Sequence, residues 1–386
     1  MNQDFLSPVK EAALSDLPFR SLHCLGNTIR INSIEEGFPE LSGVKLAIFG
    51  VEEDRNSESN SGCGDNLHFI RRKLYELFPG KWNAGIADLG NVLKGDTVAD
   101  TYFAVSEIIT DLLKQNIIPI IIGGGQDITY VNYRAYDSLE QTINITAVDS
   151  RFDLGSLEDE LTSQSYLSKI IMQKPNNLFN YSNVGYQTYF NAQEEIELFD
   201  SLFFDTCRLG KAKDLQVIEP AFRNADLVSI DIGAVRQSEA PANNNASPNG
   251  FYGEEICAIA RYAGISDKVS SFGIYEYNSK YDNNHQTASL IAQVIWYFIE
   301  GVNFRVKDYP FSGKENYEKF TVLLEHDDPI IFYKSNKTGR WWIEISILSD
   351  NKYKRHALIP CTYQDYVEAT KQIIPERWFK AMQKMM

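Results

Sequence analysis

The sequence predicts an α/β fold in which a central, mainly parallel sheet lies between two layers of helices, followed by an aromatic-rich C-terminal extension. Apolar runs typical of buried strands alternate with longer segments of helical periodicity, which is the pattern of a parallel sheet covered on both faces. Polar residues, most of them acidic, directly follow several of the runs. The 386 residues, 44% of them hydrophobic and 23% charged, are enough to bury a large core.

Each predicted element has its own local signal. Strands are predicted where short apolar runs end in glycine or in polar residues, at 44–54, 83–92, 117–127, 143–153, 178–190, 225–235 and 268–278. Helices are predicted where apolar residues recur every three or four positions, at 98–116, 157–173, 194–210 and 287–301, the last closed by Gly301.

Composition divides the protein into an N-terminal segment (1–43), an α/β domain (44–302) and a C-terminal extension (303–386). The extension carries 14 basic and 11 acidic residues, whereas the remaining residues include 23 basic and 41 acidic ones. We predict that the extension forms a strand pair and a helix, with Trp341 and Trp342 on opposite faces of an edge strand, one buried and one exposed. It either packs onto the core or docks a partner, and packing is the more common outcome.

Several classes of function are disfavoured by the bulk properties. A net charge of −15 argues against nucleic-acid binding. No apolar run is long enough to span a bilayer, and the first residues lack the pattern of a secretory signal. The five scattered cysteines, none in a CxxC pair, indicate reduced thiols and predict a cytoplasmic protein. A protein partner or a second copy is expected to bind through the loop 238–253 or the C-terminal extension.

Acidic and amide side chains follow four of the predicted strands. They are Gln126 in "GGGQD" (123–127), Asp149 and Asp153 in "DSRFD" (149–153), Asp231 in "SIDIGAVR" (229–236), and Glu276 and Asn278 in "EYNS" (276–279). The carboxyl ends of parallel strands share one edge of the sheet, so these side chains are expected to meet there. Carboxylates brought that close require a metal ion, a proton or a cationic side chain.

The four motifs, in this order, resemble those of the ureohydrolase superfamily, which includes arginase, agmatinase and, in particular, formimidoylglutamase. The resemblance covers residues 44–301 and implies an arginase-like three-layer fold. In that superfamily, six side chains bind two manganese ions. The corresponding residues here are Gln126, Asp149, Arg151, Asp153, Asp231 and Gly233. Only the three aspartates match the superfamily pattern, and the resemblance suggests Glu276 and, more weakly, Asn278 as substrate contacts.

The departures from the pattern predict a degenerate metal centre. A guanidinium has no lone pair and glycine has no side chain, so Arg151 and Gly233 remove two ligands of one of the two ions. We predict that Arg151 replaces the metal by pairing with the aspartates, and that the protein binds no cofactor. The alternative is one divalent cation, Mn²⁺, Mg²⁺ or Ca²⁺, bound by oxygen atoms of Gln126, Asp149, Asp153 and Asp231.

Three functions remain open on this basis. The first is a catalytically degenerate ureohydrolase, a pseudoenzyme that acts as a scaffold, regulator or assembly subunit and has no assigned catalytic residue. The second is a hydrolase of linear amidines or guanidines, of the formimidoylglutamase or arginase type, that uses one metal ion. The third is a sensor that binds a cationic small molecule without cleaving it.

Overall fold

The computed structural model describes residues 3–16, 21–139, 141–155, 160–310, 313–325, 328–345 and 358–384. The strands are β1 Arg30–Ile31, β2 Val44–Val51, β3 Gly85–Val92, β4 Ile118–Ile122, β5 Ile143–Val148, β6 Leu178–Tyr186, β7 Asp205–Arg208, β8 Leu227–Asp231, β9 Ser271–Tyr275, β10 Tyr317–Val322, β11 Ile330–Ser335, β12 Trp341–Glu344 and β13 Leu358–Cys361.

The helices flank the first nine strands and close the C-terminal sheet. They are α1 Glu11–Leu14, α2 His68–Glu76, α3 Val98–Lys114, α4 Ile128–Arg134, α5 Tyr166–Met172, α6 Gln193–Ser201, α7 Leu209–Ala212, α8 Leu215–Asn224, α9 Gly253–Ile265, α10 Gln286–Asn303, α11 Tyr363–Thr370 and α12 Glu376–Gln383. Among the described residues, no helix has the length and apolar character that crossing a membrane requires.

The main sheet has nine strands in the order β1-β3-β2-β4-β9-β8-β5-β6-β7, and its strand pairs are parallel. Every residue of β4 and of β5 is buried, as expected for strands covered on both faces. The order places β4, β9, β8 and β5 side by side in the centre. These are the four strands that precede the four polar motifs, so the topology brings the motifs together at one edge.

The predicted fold class is confirmed, and the differences from the predicted elements are local. The region predicted as one helix at 194–210 is α6 followed by the edge strand β7 and the short helix α7. In the segment predicted as a helix at 157–173, helical structure begins at Tyr166, and residues 157–159 lie outside the described residues. β1 and the helices α2, α4, α8 and α9 are additional to the predicted elements.

The C-terminal extension forms a separate antiparallel sheet, β10-β11-β12-β13, with α11 and α12, rather than the predicted strand pair and single helix. β12 lies between two strands, so the prediction of an edge strand is wrong. Trp341 and Trp342 are both buried, which also corrects the expectation that one is exposed. Tyr366 of α11 stacks on Trp341 with ring centres 5.0 Å apart, while Trp342 contacts Arg223 of the α/β domain.

The last helix, α12, packs onto the rest of the protein. The indole N–H of Trp378 donates to the carbonyl of Glu344 at 3.0 Å, and the ammonium of Lys380 donates to the carbonyl of Phe204 at 3.0 Å. The ring of Phe379 meets Phe203 edge-on. Of the two predicted alternatives for the extension, these contacts correspond to packing on the core.

Candidate functional site

A glycine turn delivers the first polar residue of the site. Gly123 and Gly124, directly after β4, have φ angles of +80° and +77°, a region that side-chain-bearing residues rarely adopt. A Cβ atom on Gly123 would also lie 2.5 Å from the side chain of Leu67. The backbone therefore turns sharply at the end of β4 and places Gln126 over the carboxyl edge of the sheet.

Gln126 is buried with one polar atom unsatisfied. Its backbone N–H donates to Glu276 Oε1 at 2.8 Å, and its side-chain N–H donates to Ser229 Oγ at 2.9 Å. Its Oε1 atom is buried and has no hydrogen-bond partner among the described residues. An unsatisfied buried acceptor is costly, so a cation or a donor bound at this atom would stabilise the fold.

Asp149, Asp153 and Asp231 form a buried acidic cluster. Burial raises the pKa of Asp149 to about 6. Burial and then the charge of Asp149 raise the pKa of Asp153 well above its usual range, and burial followed by the charges of Asp149 and Glu276 does the same for Asp231. The three carboxylates thus lie close together, as predicted. Without a bound cation, they keep their protons at a pH where ordinary aspartates are ionised.

Neighbouring donors hold Glu276 firmly at the same edge. Its carboxylate accepts hydrogen bonds from Ser57 Oγ at 2.8 Å and 3.0 Å, from Asn60 Nδ2 at 2.7 Å and from the N–H of Gln126 at 2.8 Å. Asn278 is also buried and donates to the carbonyl of Ser61 at 3.0 Å. Glu276 and Asn278, suggested above as substrate contacts, therefore hold the loop 55–66 in place through hydrogen bonds.

The structure does not show the ion pairs expected of Arg151. Its guanidinium lies 4.5 Å from the ring centre of Phe190 and donates to the carbonyl of Phe190 at 3.4 Å. Among the ion pairs of the described residues, none within 4.0 Å joins Arg151 to an aspartate of the cluster. The arginine still lowers the pKa values of the three aspartates, but less than burial raises them. Its role as a substitute for metal stays a prediction.

A cavity of about 30 Å³ is lined by Gln126, Arg151, Asp153, Asp231 and Glu276, with Asp149 outside its lining. That volume is room for a water molecule or an ion of similar size. Gly233 contributes its backbone N–H to Asp231 Oδ1 at 2.7 Å, where the superfamily pattern has a carboxylate. Asn243 and Asn245 complete one wall. Sequence reasoning missed these two and the Glu276 anchors Ser57 and Asn60, because they come from distant loops. The run of three asparagines at 243–245 was the only available signal.

The donor set fits one hard cation. Gln126 and the three aspartates offer amide and carboxylate oxygens, which Mg²⁺, Ca²⁺ and Mn²⁺ accept. The unsatisfied Gln126 Oε1 and Asp149 Oδ2 atoms are acceptors such an ion would satisfy. The residues that correspond to the second ion of the superfamily do not fit an ion, because Arg151 offers no lone pair and Gly233 offers no side chain.

This fold and this acidic strand edge define a three-layer α/β protein whose parallel sheet carries buried carboxylates at its carboxyl edge. The family model "Arginase family" matches residues 44–300, and the chain belongs to that family. Formimidoylglutamase of Staphylococcus haemolyticus is 24% identical over 290 residues, which cover 70% of this chain and 91% of that protein. Formimidoylglutamase of Streptococcus gordonii is 22% identical over 301 residues, covering 70% and 88%.

Solved structures show the same fold. Formimidoylglutamase of Bacillus subtilis superposes with a TM-score of 0.66 at 17% identity, covering 76% of this chain and 99% of that one. Formiminoglutamase of Trypanosoma cruzi, solved with Mn²⁺, superposes with a TM-score of 0.63 at 16% identity, covering 69% and 96%. The predicted resemblance to formimidoylglutamases is therefore confirmed.

Proposed function

We propose that this protein is an arginase-family hydrolase of linear amidines or guanidines that uses one divalent cation, bound by Gln126, Asp149, Asp153 and Asp231. The observation that carries the proposal is the buried acidic cluster, whose charges no ion pair from Arg151 offsets in the described structure. The relatives named formimidoylglutamase supply the substrate class. We prefer the cation-binding site to the predicted metal-free site, because the metal-free prediction depended on ion pairs between Arg151 and the aspartates that the described structure does not contain.

Each residue of the site would have a separate role. A divalent cation at this set supplies a Lewis acid, which makes water a better nucleophile at neutral pH. The three aspartates would hold the cation and keep the floor of the site negative. The resulting field favours the positive charge of an amidinium or guanidinium group. Gln126 is held in place by its N–H groups, which donate to Glu276 and Ser229, and its Oε1 atom would be the acceptor that it offers to the cation.

A second candidate is a protein that binds the cation without turnover, which shares the lack of catalysis, but not the lack of metal, with the predicted pseudoenzyme. Two observations favour it. The cavity of about 30 Å³ is far smaller than the few hundred Å³ of ordinary small-molecule sites. Its wall is also closed by hydrogen bonds from Asn244 to the carbonyl of Ser59 at 2.6 Å and from Asn245 to that of Glu58 at 3.3 Å.

Turnover separates the two candidates. Protein stripped with EDTA is reloaded with Mn²⁺, Mg²⁺ or Ca²⁺ and assayed for urea or formamide release from arginine, agmatine and formimidoylglutamate. The hydrolase predicts turnover that needs the ion, is lost in Asp231→Asn and survives in Glu107→Gln, which changes an exposed carboxylate of α3. Ion binding with no turnover of any of the three substrates supports the second candidate.

A further inference from the structure

A second pocket, separate from the acidic cavity, lies beside the ends of β6 and β7. Its volume is about 330 Å³, and it shares no lining residue with the acidic cavity. Three cationic side chains line it, Arg208, Lys213 and Arg236, and its lining contains no carboxylate. In a protein with a net charge of −15, this local excess of positive charge is unusual.

The three cations have no anionic partner in the described structure. Among the described residues, no ion pair within 4.0 Å includes Arg208, Lys213 or Arg236. The Nε atom of Arg236 is buried and has no hydrogen-bond partner there. Among the described residues, the one acceptor of the Arg236 side chain is the carbonyl of Gly250, to which Nη2 donates at a long distance of 3.4 Å.

Two of these cations, Arg236 and Lys213, lie close to the ring of Tyr252. The guanidinium carbon of Arg236 lies 3.4 Å from the ring centre of Tyr252, and the ammonium of Lys213 lies 4.9 Å from the same centre. Two positive charges on one ring repel each other, and the ring offsets only part of that repulsion. An anion in the pocket that both cations line would offset this repulsion and accept a hydrogen bond from the buried N–H of Arg236.

Polar and aromatic groups complete the wall. The amide N–H of Gln187 donates to the carbonyl of Asn249 at 3.2 Å, and the hydroxyl of Tyr189 donates to the side-chain oxygen of Gln187. Tyr186 and Leu209 add apolar surface. A volume of about 330 Å³ holds an anionic group together with a small organic body.

We propose that this pocket binds a small molecule carrying a compact dianion, either a phosphate group or a pair of carboxylates, between Arg208, Lys213 and Arg236. Three cations suit two negative charges and still leave the pocket attractive to anions. The proposal does not depend on the cation of the acidic cluster, and it stands whether or not that cluster hydrolyses anything.

The test is calorimetric titration of the full-length protein in EDTA with inorganic phosphate and, separately, with succinate, at ionic strength fixed with potassium chloride. We expect saturable binding of at least one of them, weakened about tenfold or more in Arg236→Gln and in Lys213→Gln, the usual effect of losing one charged hydrogen bond. The probe that binds more tightly shows whether the pocket prefers a phosphate group or a pair of carboxylates. Lys213→Gln changes an exposed residue, so it keeps the test valid if the arginine variant fails to fold.

The matched control is Lys211→Gln, which removes an exposed charge from the same short helical region but from outside the pocket lining. Its affinity should stay within about twofold of the unaltered protein, because an exposed charge is screened over short distances. If neither phosphate nor succinate binds, the proposal is overturned. An equal loss in Lys211→Gln and Lys213→Gln also overturns it, since that result reports only general attraction to a positive surface.

Discussion

Arg151 shows how little a residue's identity says about its partners. The sequence supplies a cation beside three carboxylates, and pairing between them is the simplest expectation. In the fold, the arginine side chain turns to the segment after β6, where the Phe190 ring and its carbonyl accept the guanidinium. The aspartates are left with raised pKa values. The direction of a side chain depends on the loop packed beside it, which local sequence does not specify.

The consequence for Arg151→Ala is a small loss of stability. Losing a partly exposed cation–π contact and one long hydrogen bond should lower the free energy of unfolding by about 1 kcal/mol. If Arg151 instead neutralised the buried aspartates, its removal would cost about 3–5 kcal/mol. Urea unfolding of the variant and the unaltered protein in EDTA distinguishes the two values.

At the scale of elements, the sequence predicted the central strands of the main sheet and missed its two edge strands, β1 and β7. β4 (IPIII) is a continuous apolar run that ends at a glycine turn, and β5 (INITAV) is a short run rich in β-branched residues that ends before Asp149, so the length and composition of both favour a strand. β7, with the sequence DTCR, is short and only partly buried. It forms because β6 offers an open edge, a long-range cause that the periodicity of residues 194–210 does not contain.

The same distinction applies to the candidate site. The motif residues Gln126, Asp149, Asp153 and Asp231 could be predicted, because each directly follows a recognisable strand and the parallel topology brings strand ends together. Ser57 and Asn60 could not, because their contact with Glu276 spans more than 200 residues of sequence and depends on how the loop 55–66 folds over the sheet.

Arg223 of α8 joins the C-terminal sheet to the main domain. Its guanidinium donates to the carbonyls of Trp341 at 3.0 Å and Cys361 at 2.8 Å, and it lies 4.6 Å from the ring centre of Trp342. Arg223→Met keeps much of the apolar stem and removes these donors. It should lower the free energy of unfolding by about 3 kcal/mol, because two buried carbonyls lose partners.

Urea unfolding measures this effect, and limited proteolysis of the segment that follows α10 reports it locally. The matched control is Arg261→Gln, which removes a partly exposed pair with Glu300 and should cost less than about 1 kcal/mol. Equal stability of Arg223→Met and the unaltered protein would show that the sheet is held by other contacts.

At the scale of the whole molecule, the acidic cluster makes stability depend on pH. The pKa of Asp149 rises to about 6 on folding, and those of Asp153 and Asp231 also rise. The folded protein therefore binds more protons than the unfolded protein above about pH 4, and the free energy of unfolding falls as pH rises. Asp127, whose pKa burial raises to about 7, acts in the same direction.

We expect that, in EDTA, raising the pH from about 5 to about 7.5 lowers the free energy of unfolding by roughly 1.4 kcal/mol from Asp149 alone. Asp149→Asn should flatten the dependence, and saturating divalent cation should remove it, because a bound ion favours the ionised carboxylates. Urea titrations at several pH values measure the slope. A free energy that rises with pH across this window in EDTA would contradict the assignment.

The expectation of a protein partner or a second copy, bound through the loop 238–253 or the C-terminal extension, stays a prediction. Part of that loop now has a second role as a wall of both pockets, through Asn243, Asn245, Asn249 and Gly250. A partner bound there would therefore sense what occupies either pocket.

The most direct test of the central claim is the number of divalent cations that each molecule of the purified protein binds. After EDTA and dialysis, titration calorimetry with Mn²⁺, supported by elemental analysis, should give one ion per molecule and none in Asp231→Asn. Two ions per molecule, or no binding by the folded protein at neutral pH, would contradict the assignment of a single all-oxygen site to Gln126, Asp149, Asp153 and Asp231.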